Sequence, residues 1–361
     1  MKKELNTFHT GRYLLNAETS TDLSIINELL NVFHRMPLFP ETITELQDNA
    51  LAKAIFAEAK IEENPVTFEQ VCRIMIHSRD NFSQDQSSIE VCNILAAHKL
   101  LDEKLSEKLT PEIISSVHNE LIASMANIKE PDGSYRKGGI KADEKWISVP
   151  YTPPASTLDI NFLIKQLLDW IENDLPSLNP IIKATLLHLH IKKIQPYSNA
   201  NGHTARLLEI WYLKKNRIKI LPYILPQIYN SRKEDYYKCI SEFYASSDIQ
   251  PFLHFIMDSL KDTVSSVRDA NFAAMASVIS DSRLAKMYEN KTLIKRQYDF
   301  LCMIKESGAS FQQEDLQLRK PYTKMYGNVS RTTVARDIKK YEDMGLIVLT
   351  KDGYVFKTDI I

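Results

Sequence analysis

At 361 residues, with 44% hydrophobic and 25% charged residues, the chain has the length of one main core plus one or two satellite domains and an ordinary globular composition. Lys+Arg 45 against Asp+Glu 46 leaves a net charge of -1, which implies no global polyanion partner but leaves room for a basic local domain. The N-terminus MKKELNTFHT has no apolar run behind its lysines, and nowhere do about 18 consecutive apolar residues occur, so a cytoplasmic protein without a membrane partner is expected.

Residues 1–110 read as an N-terminal helical region, with apolar residues at helical spacing such as Ile25, Ile26, Leu29, Leu30 and Phe33. A core is expected over 111–260. It opens with TPEIISSVHNELIASMAN, where Thr-Pro followed by Glu marks a helix start. The stretch 131–154, PDGSYRKGGIKADEKWISVPYTPP, has turn residues at both ends and the short run Trp146 to Val149, a pattern predicting a β-hairpin on a helical body. Residues 158–173 are amphipathic, whereas 181–194 are apolar nearly all round and should form a central helix ending at Pro196. Helical periodicity resumes at 202–216. A helical linker over 261–290 and a separate module over 291–361 complete the chain. The fold class is therefore mainly α.

The loop between the two central helices, QPYSNANGHTAR at 195–206, is where chemistry is expected. The first N–H groups of the following helix lack intrahelical partners and carry partial positive charge, which suits a phosphate. Gly202 would let the backbone approach an anion, and Arg206, one turn on, can return over the same end as a bidentate donor. An ordinary helix start with a surface arginine is the alternative. The cysteines at 72, 92, 239 and 302 are far apart with no CxxC pair, so no metal ligand set is predicted.

This loop resembles the signature of the Fic family, in which Ile-His-Pro-Phe, a variable residue, an acidic residue, Gly-Asn-Gly-Arg, two residues and a final Arg follow a buried helix. The segment GSYRKGG...WISVPYTPP resembles the Fic flap. The resemblance covers roughly 110–260 and implies transfer of AMP, or another phosphate-linked group, from a nucleotide such as ATP to a protein hydroxyl. It implies a histidine base, an acidic residue for Mg2+, and a phosphate cradle lined by Asn201, Gly202 and Arg206. Here Gln195 stands at the histidine position, Asn199 at the acidic one, Ala200 at the first glycine and His203 at the first arginine. An amide has no useful basicity, a change expected to cost about 10²- to 10⁴-fold. A neutral carbonyl is a poor magnesium ligand. His203 is expected to be mostly neutral at pH 7 and is the best relocated base. His188 and His190, two apart on a helix, should face different sides as interior residues. The expectation is retained, weakened nucleotide binding with little or no transfer.

The family also has an inhibitory helix whose Glu pairs with the second motif arginine. QSSIEV at 86–91 resembles it through Ser87, Ser88, Ile89 and Glu90, so Glu90 is expected to pair with Arg206. The same Ser/Glu pattern also reads as a helix N-cap box.

In 291–361, three helical segments precede strands that turn at Lys351, Asp352 and Gly353, the order of a winged helix-turn-helix. Arg331, Thr332, Thr333 and Arg336 lie in a segment resembling a recognition helix. Residues 319–340 carry a local net charge of +6, with Asp337 the single acid, an electrostatic footprint that suits DNA phosphates. Such modules also serve as protein or dimer interfaces, so a homodimer stays open.

Overall fold

The computed structural model describes residues 16–35, 40–76, 85–125, 133–140, 146–174, 178–218 and 221–357. By contacts the chain divides into two compact units, Met1–Val264 and Ser265–Ile361.

The first unit comprises helices α1 (Ala17–Arg35), α2 (Pro40–Ile61), α3 (Phe68–Ile76), α4 (Gln86–Glu103), α5 (Pro111–Ile122), α6 (Thr157–Asp169), α7 (Pro180–Ile194), α8 (Asn201–Lys215), α9 (Leu221–Ser231) and α10 (Lys233–Ser246). The division falls inside α11 (Gln250–Glu289), which covers most of the expected linker. No helix among the described residues is long and apolar enough to cross a membrane.

Helix α7 starts where Asn179 Oδ1 accepts the Ile181 N–H at 2.8 Å and Pro180 occupies the first turn, a position that needs no N–H. It ends where Gln195 turns left-handed at φ 46° ahead of Pro196. Every residue of α7 from Ile181 to Ile194 is buried, as is every residue of α8 from Asn201 to Leu213. Packing of Leu186, Leu187, Leu189 and Ile191 with Leu207, Leu208 and Trp211 in one core fixes the two helices that bracket the loop. At roughly 1.5–3 kcal/mol per buried large apolar side chain, this layer rather than the loop sets the loop's position.

The predicted hairpin is not formed by paired strands among the described residues of 133–140 and 146–154. Side chains hold these segments instead. Gly133 donates to Asn119 Oδ1 at 2.8 Å and accepts from Ser115 Oγ at 2.9 Å, with φ at 67°. The Ser148 N–H donates to Ser241 Oγ at 3.1 Å, Tyr151 OH donates to the Lys193 carbonyl at 2.8 Å, and the Tyr151 ring stacks on Tyr244 at 4.4 Å. Main-chain groups satisfied in this way have no need of a ladder. Residues 141–145 lie outside the described residues.

In the second unit, α12 (Lys295–Ser307), the short helices α13 (Asp315–Leu318) and α14 (Thr323–Tyr326), and α15 (Arg331–Asp343) precede antiparallel β1 (Ile347–Thr350) and β2 (Gly353–Phe356). A bridge from Phe311 to Tyr354 extends this sheet. Phe300, Tyr326, Val334, Ile338 and Tyr341 form the unit's own core.

Candidate functional site

The loop 195–200 is a closed turn braced from three sides. Asn201 engages Tyr197 twice, its Oδ1 accepting the Tyr197 N–H at 3.0 Å and its Nδ2 donating to the Tyr197 carbonyl at 2.6 Å. Tyr197 itself is fully buried, stacked on His118 at 3.6 Å and donating to Ser115 Oγ at 3.2 Å. Arg136 supplies the third brace. Its N–H donates to the Pro196 carbonyl at 3.0 Å, its Nε to the Gln195 carbonyl at 2.7 Å, and its Nη groups to the Gly138, Pro154 and Ile194 carbonyls. A buried guanidinium satisfied by carbonyls rather than by a carboxylate is disfavoured in its charged form, and burial lowers its pKa. In the sequence Arg136 stands out only as part of the flap segment GSYRKGG.

Gln195 and Ala200, at the two ends of this turn, both have positive φ, 46° and 55°, without being glycine. Such a backbone costs roughly 1–2 kcal/mol per residue, supported here by the braces.

The arginine expected to hold phosphate is at the centre of a buried ionic cluster. Arg206 is 0% exposed; Nε donates to Glu58 Oε2 at 2.7 Å, Nη2 to Glu62 Oε1 at 2.7 Å, and Nη1 to Tyr236 OH at 3.5 Å. Glu58 lies on α2 and Glu62 in the turn that ends it. The expectation that Glu90 pairs with Arg206 is therefore corrected. Glu90 Oε1 lies 3.2 Å from His203 Nε2, one helical turn earlier on α8, and its Oε2 accepts from Asn64 Nδ2 at 2.9 Å. Ser87 takes part only through its carbonyl, which accepts from Asn64 Nδ2 at 3.1 Å. The Ser87–Ser88 segment is the first turn of α4, capped by Asp85, whose Oδ1 accepts the Ser88 N–H at 2.9 Å.

The charge state of His203 is also corrected. Nδ1 faces Glu58 Oε2 at 3.3 Å and Arg206 Nη2 at 3.3 Å, while Nε2 faces Glu90 Oε1, so both nitrogens meet a carboxylate and the protonated ring is favoured. Burial opposes the charge, but hydrogen bonds to Glu58 and Glu90 overcome it and hold the pKa up to about 9. An imidazole kept protonated at neutral pH has no lone pair to take a proton, so His203 does not replace the missing base. Conversely, burial is outweighed by Arg206 and His203 at Glu62, whose pKa falls to about 2, and Glu58 is likewise held below the usual carboxylate range.

Gly202 explains how the Glu62 carboxylate reaches this place. A Cβ at residue 202 would lie 2.6 Å from Glu62 Oε1 and 3.2 Å from Arg206 Nη1. The space over the start of α8 thus holds an anionic group, the Glu62 carboxylate, between a bare backbone and a guanidinium. These are the features of a seat for a phosphate oxygen. The magnesium position does not fit: Asn199 has an exposed neutral side chain and its carbonyl lies 3.3 Å from His118 Nε2. Among the described residues no group of three or more His, Cys, Asp or Glu side chains could hold a metal ion.

Behind Arg206 the network runs inward. Tyr236 OH lies 3.0 Å from His188 Nε2, and His188 Nδ1 lies 2.8 Å from Glu209 Oε2, which also accepts from Tyr229 OH at 3.0 Å. His190 points elsewhere, edge-on to Trp170 and Phe243, and burial lowers its pKa to about 3. Both are interior residues, as their spacing predicts.

On α15, Arg331, Thr332, Arg336 and Lys339 are exposed, whereas Thr333 is spent on the cap, its N–H donating to Ser330 Oγ at 3.2 Å. Asp337 is buried, accepting from Gln297 at 2.7 Å and Tyr326 at 3.0 Å and paired with Arg296 at 2.9 Å.

Comparison with known proteins agrees with this geometry. The Fic/DOC family matches residues 108–213. The chain is 27% identical over 216 residues to the protein adenylyltransferase Fic of Drosophila willistoni, covering 58% of this chain and 40% of the relative. It is 25% identical over 257 residues to that of Drosophila mojavensis, covering 70% and 47%. The chain thus spans less than half the length of these relatives. Among solved structures, a Fic family protein from Desulfovibrio desulfuricans G20 superposes with a TM-score of 0.61 at 19% identity, over 96% of this chain and 98% of that one. Fic-1 from C. elegans superposes with a TM-score of 0.56 at 16% identity, over 72% and 74%. At such identities the structural likeness speaks for the fold alone. With the loop, the buried α7–α8 pair and the family match all falling on the same residues, this chain carries a Fic/DOC family domain at residues 108–213.

Proposed function

We propose that the chain is a nucleotide-binding Fic protein of the AMP-transferase class whose transfer chemistry is weakened or lost. The observation that carries this reading is the Glu62 carboxylate held over Gly202 by Arg206, where a carboxylate stands in for a phosphate group. A nucleotide such as ATP would bring its phosphates to this seat and the group to be transferred, with a protein hydroxyl as acceptor. Arg206 and the first N–H groups of α8 would hold the anion, and Tyr197, Asn201 and Arg136 would keep the loop in shape. Among the described residues, neither Gln195 nor His203 is suited to remove a proton from an acceptor hydroxyl. Gln195 is an amide, and His203 is committed to Glu58 and Glu90. Binding is expected to be weak, because a nucleotide must first displace Glu62. Calorimetry with ADP and ATP, with and without magnesium, tests the binding. Incubation with ATP labelled at the α-phosphate tests the chemistry. Neither the natural chain nor Gln195→His is expected to label any protein, because Asn199 and His203 are still unchanged in that variant.

A second reading has its own observation. The exposed Arg331, Thr332, Arg336 and Lys339 on α15, with Asp337 turned into the core, form a basic face that suits DNA phosphates. In this reading the second unit is a winged helix, and the chain is a regulator in which nucleotide binding by the Fic body is reported through it. A gel shift with genomic fragments at two salt concentrations should show retardation that falls steeply with salt and is lost in Arg331→Ala/Arg336→Ala.

A further inference from the structure

Two carboxylates one helical turn apart hold Arg206, and their surroundings give them different parts to play. Glu58 is 0% exposed, in a stretch of α2 where Ala54, Ile55, Ala57, Ala59 and Ile61 are all core residues. Withdrawing it would mean unpacking α2. Glu62 is 35% exposed at its side chain, sits in the turn after α2, and is followed by Glu63 at a positive φ of 65°. Glu62 alone of the two can swing into solvent.

They also hold different atoms. Glu62 takes Nη2, which also lies 3.3 Å from His203 Nδ1, whereas Glu58 takes Nε, at the base of the guanidinium, and Tyr236 lies against Nη1, the guanidinium nitrogen nearest Gly202. Once Glu62 leaves, Nη2 loses its carboxylate and retains the 3.3 Å contact with His203 Nδ1, while Nε and Nη1 keep their partners. Glu58 also concentrates both of its contacts on Oε2, shared between Arg206 and His203, and Oε1 has no donor among the described residues. A buried carboxylate kept only to stabilise the core would be expected to have both oxygens satisfied.

Resting on the nucleotide-binding reading above, we propose that Glu58 is a positioning residue of the anion seat: it keeps hold of Arg206 Nε and His203 Nδ1 when Glu62 leaves, and so aims Nη2 at the arriving phosphate. Glu58 and Glu62 then act with opposite sign. Glu62 competes with the ligand, and Glu58 orients the group that binds it.

The test is calorimetry on the full chain with ADP and, separately, inorganic pyrophosphate. Glu62→Gln should bind ADP about ten-fold or more tightly than the natural chain. Adding Glu58→Gln to it should reduce that affinity by about ten-fold or more, while the unfolding midpoint, measured alongside, falls too little to account for the loss. An affinity that rises in the double variant would make Glu58 a second competitor, and an unchanged one would make it a bystander; either overturns the proposal. Should the double variant fail to fold, a crystal structure of Glu62→Gln alone decides. Arg206 Nε should still lie about 3 Å from Glu58, and a guanidinium that has swung to other partners overturns the proposal. If Glu62→Gln binds neither ADP nor pyrophosphate, the nucleotide-binding reading falls, and that crystal structure still judges Glu58 by the same distance.

Discussion

Raising the pH should loosen the anion seat through one group, His203. Its imidazolium lies between Glu58 and Glu90 at 3.3 and 3.2 Å, and its pKa is held up from 6.5 to about 9. The difference corresponds to roughly 3 kcal/mol of preference for the charged form in the folded chain. Because the folded pKa lies above the unfolded one, this stabilisation is fully present below pH 6.5 and is lost as pH rises through about 9. The direct assay follows the His203 Cε1–H resonance against pH in histidine-labelled protein. A second assay compares urea unfolding midpoints of the natural chain and His203→Gln at pH 6 and pH 10. Other groups titrate in that range, so the difference between the two proteins is the quantity to read. It should shrink by roughly 3 kcal/mol on going to the higher pH. A His203 resonance that titrates at or below pH 7 would refute the ion cluster as described, and with it the exclusion of His203 as a base.

Three further outcomes follow from the loop. Ala200→Gly should stabilise the protein by about 0.5–1 kcal/mol, since the residue has a φ of 55° and glycine adopts it without steric cost; an unfolding midpoint that does not rise counts against this. Arg136→Ala removes the donors to the Gln195, Gly138, Pro154 and Ile194 carbonyls and should cost roughly 3 kcal/mol or more in denaturant unfolding, with faster amide exchange at 195–200. Gly202→Ala places a methyl 2.6 Å from Glu62 Oε1, so Glu62 should be expelled at a cost of about 1–3 kcal/mol; combined with Glu62→Gln it should abolish the gain in ADP affinity, as calorimetry would show.

The parts of this architecture that were legible in the sequence are those in which local and global preference agree. Asn179-Pro180 before an all-apolar run, and Pro196 after it, mark α7 unambiguously, and Thr110-Pro111 does the same for α5. The loop could be located because its residue order is distinctive. The acidic partners of Arg206 were less visible, because they lie more than 140 residues away along the chain and the serine-rich 86–91 segment offered a closer likeness to the family pattern. A signal for them was present in AIFAEAKIEEN. Glu58 and Glu62 stand four apart in a helical pattern whose neighbouring positions include alanine and isoleucine, and a carboxylate on an apolar face needs a buried cation. The charge of His203 could not be read from its type, since the decisive facts are two carboxylates from two other helices. The expected hairpin went astray for a related reason. Its apolar run at 146–149 looks like a strand, but side chains of α5 and α10 and a main-chain carbonyl of α7 supply contacts to the two segments in place of a partner strand.

The placement of Glu58 on α2 and of Glu62 in the turn after it means that the family domain and the charge-paired unit are not the same object. The matched stretch, 108–213, contains Arg206 and His203, both buried, but none of the three carboxylates at 58, 62 and 90 that balance them. A fragment cut at the family boundaries would leave the Arg206 guanidinium without its carboxylates, at a penalty of several kcal/mol for a buried ion, and would remove the groups that keep His203 protonated. The N-terminal helices are in that sense the counterion of the domain, and any version of this site that is moved, truncated or grafted must bring its own.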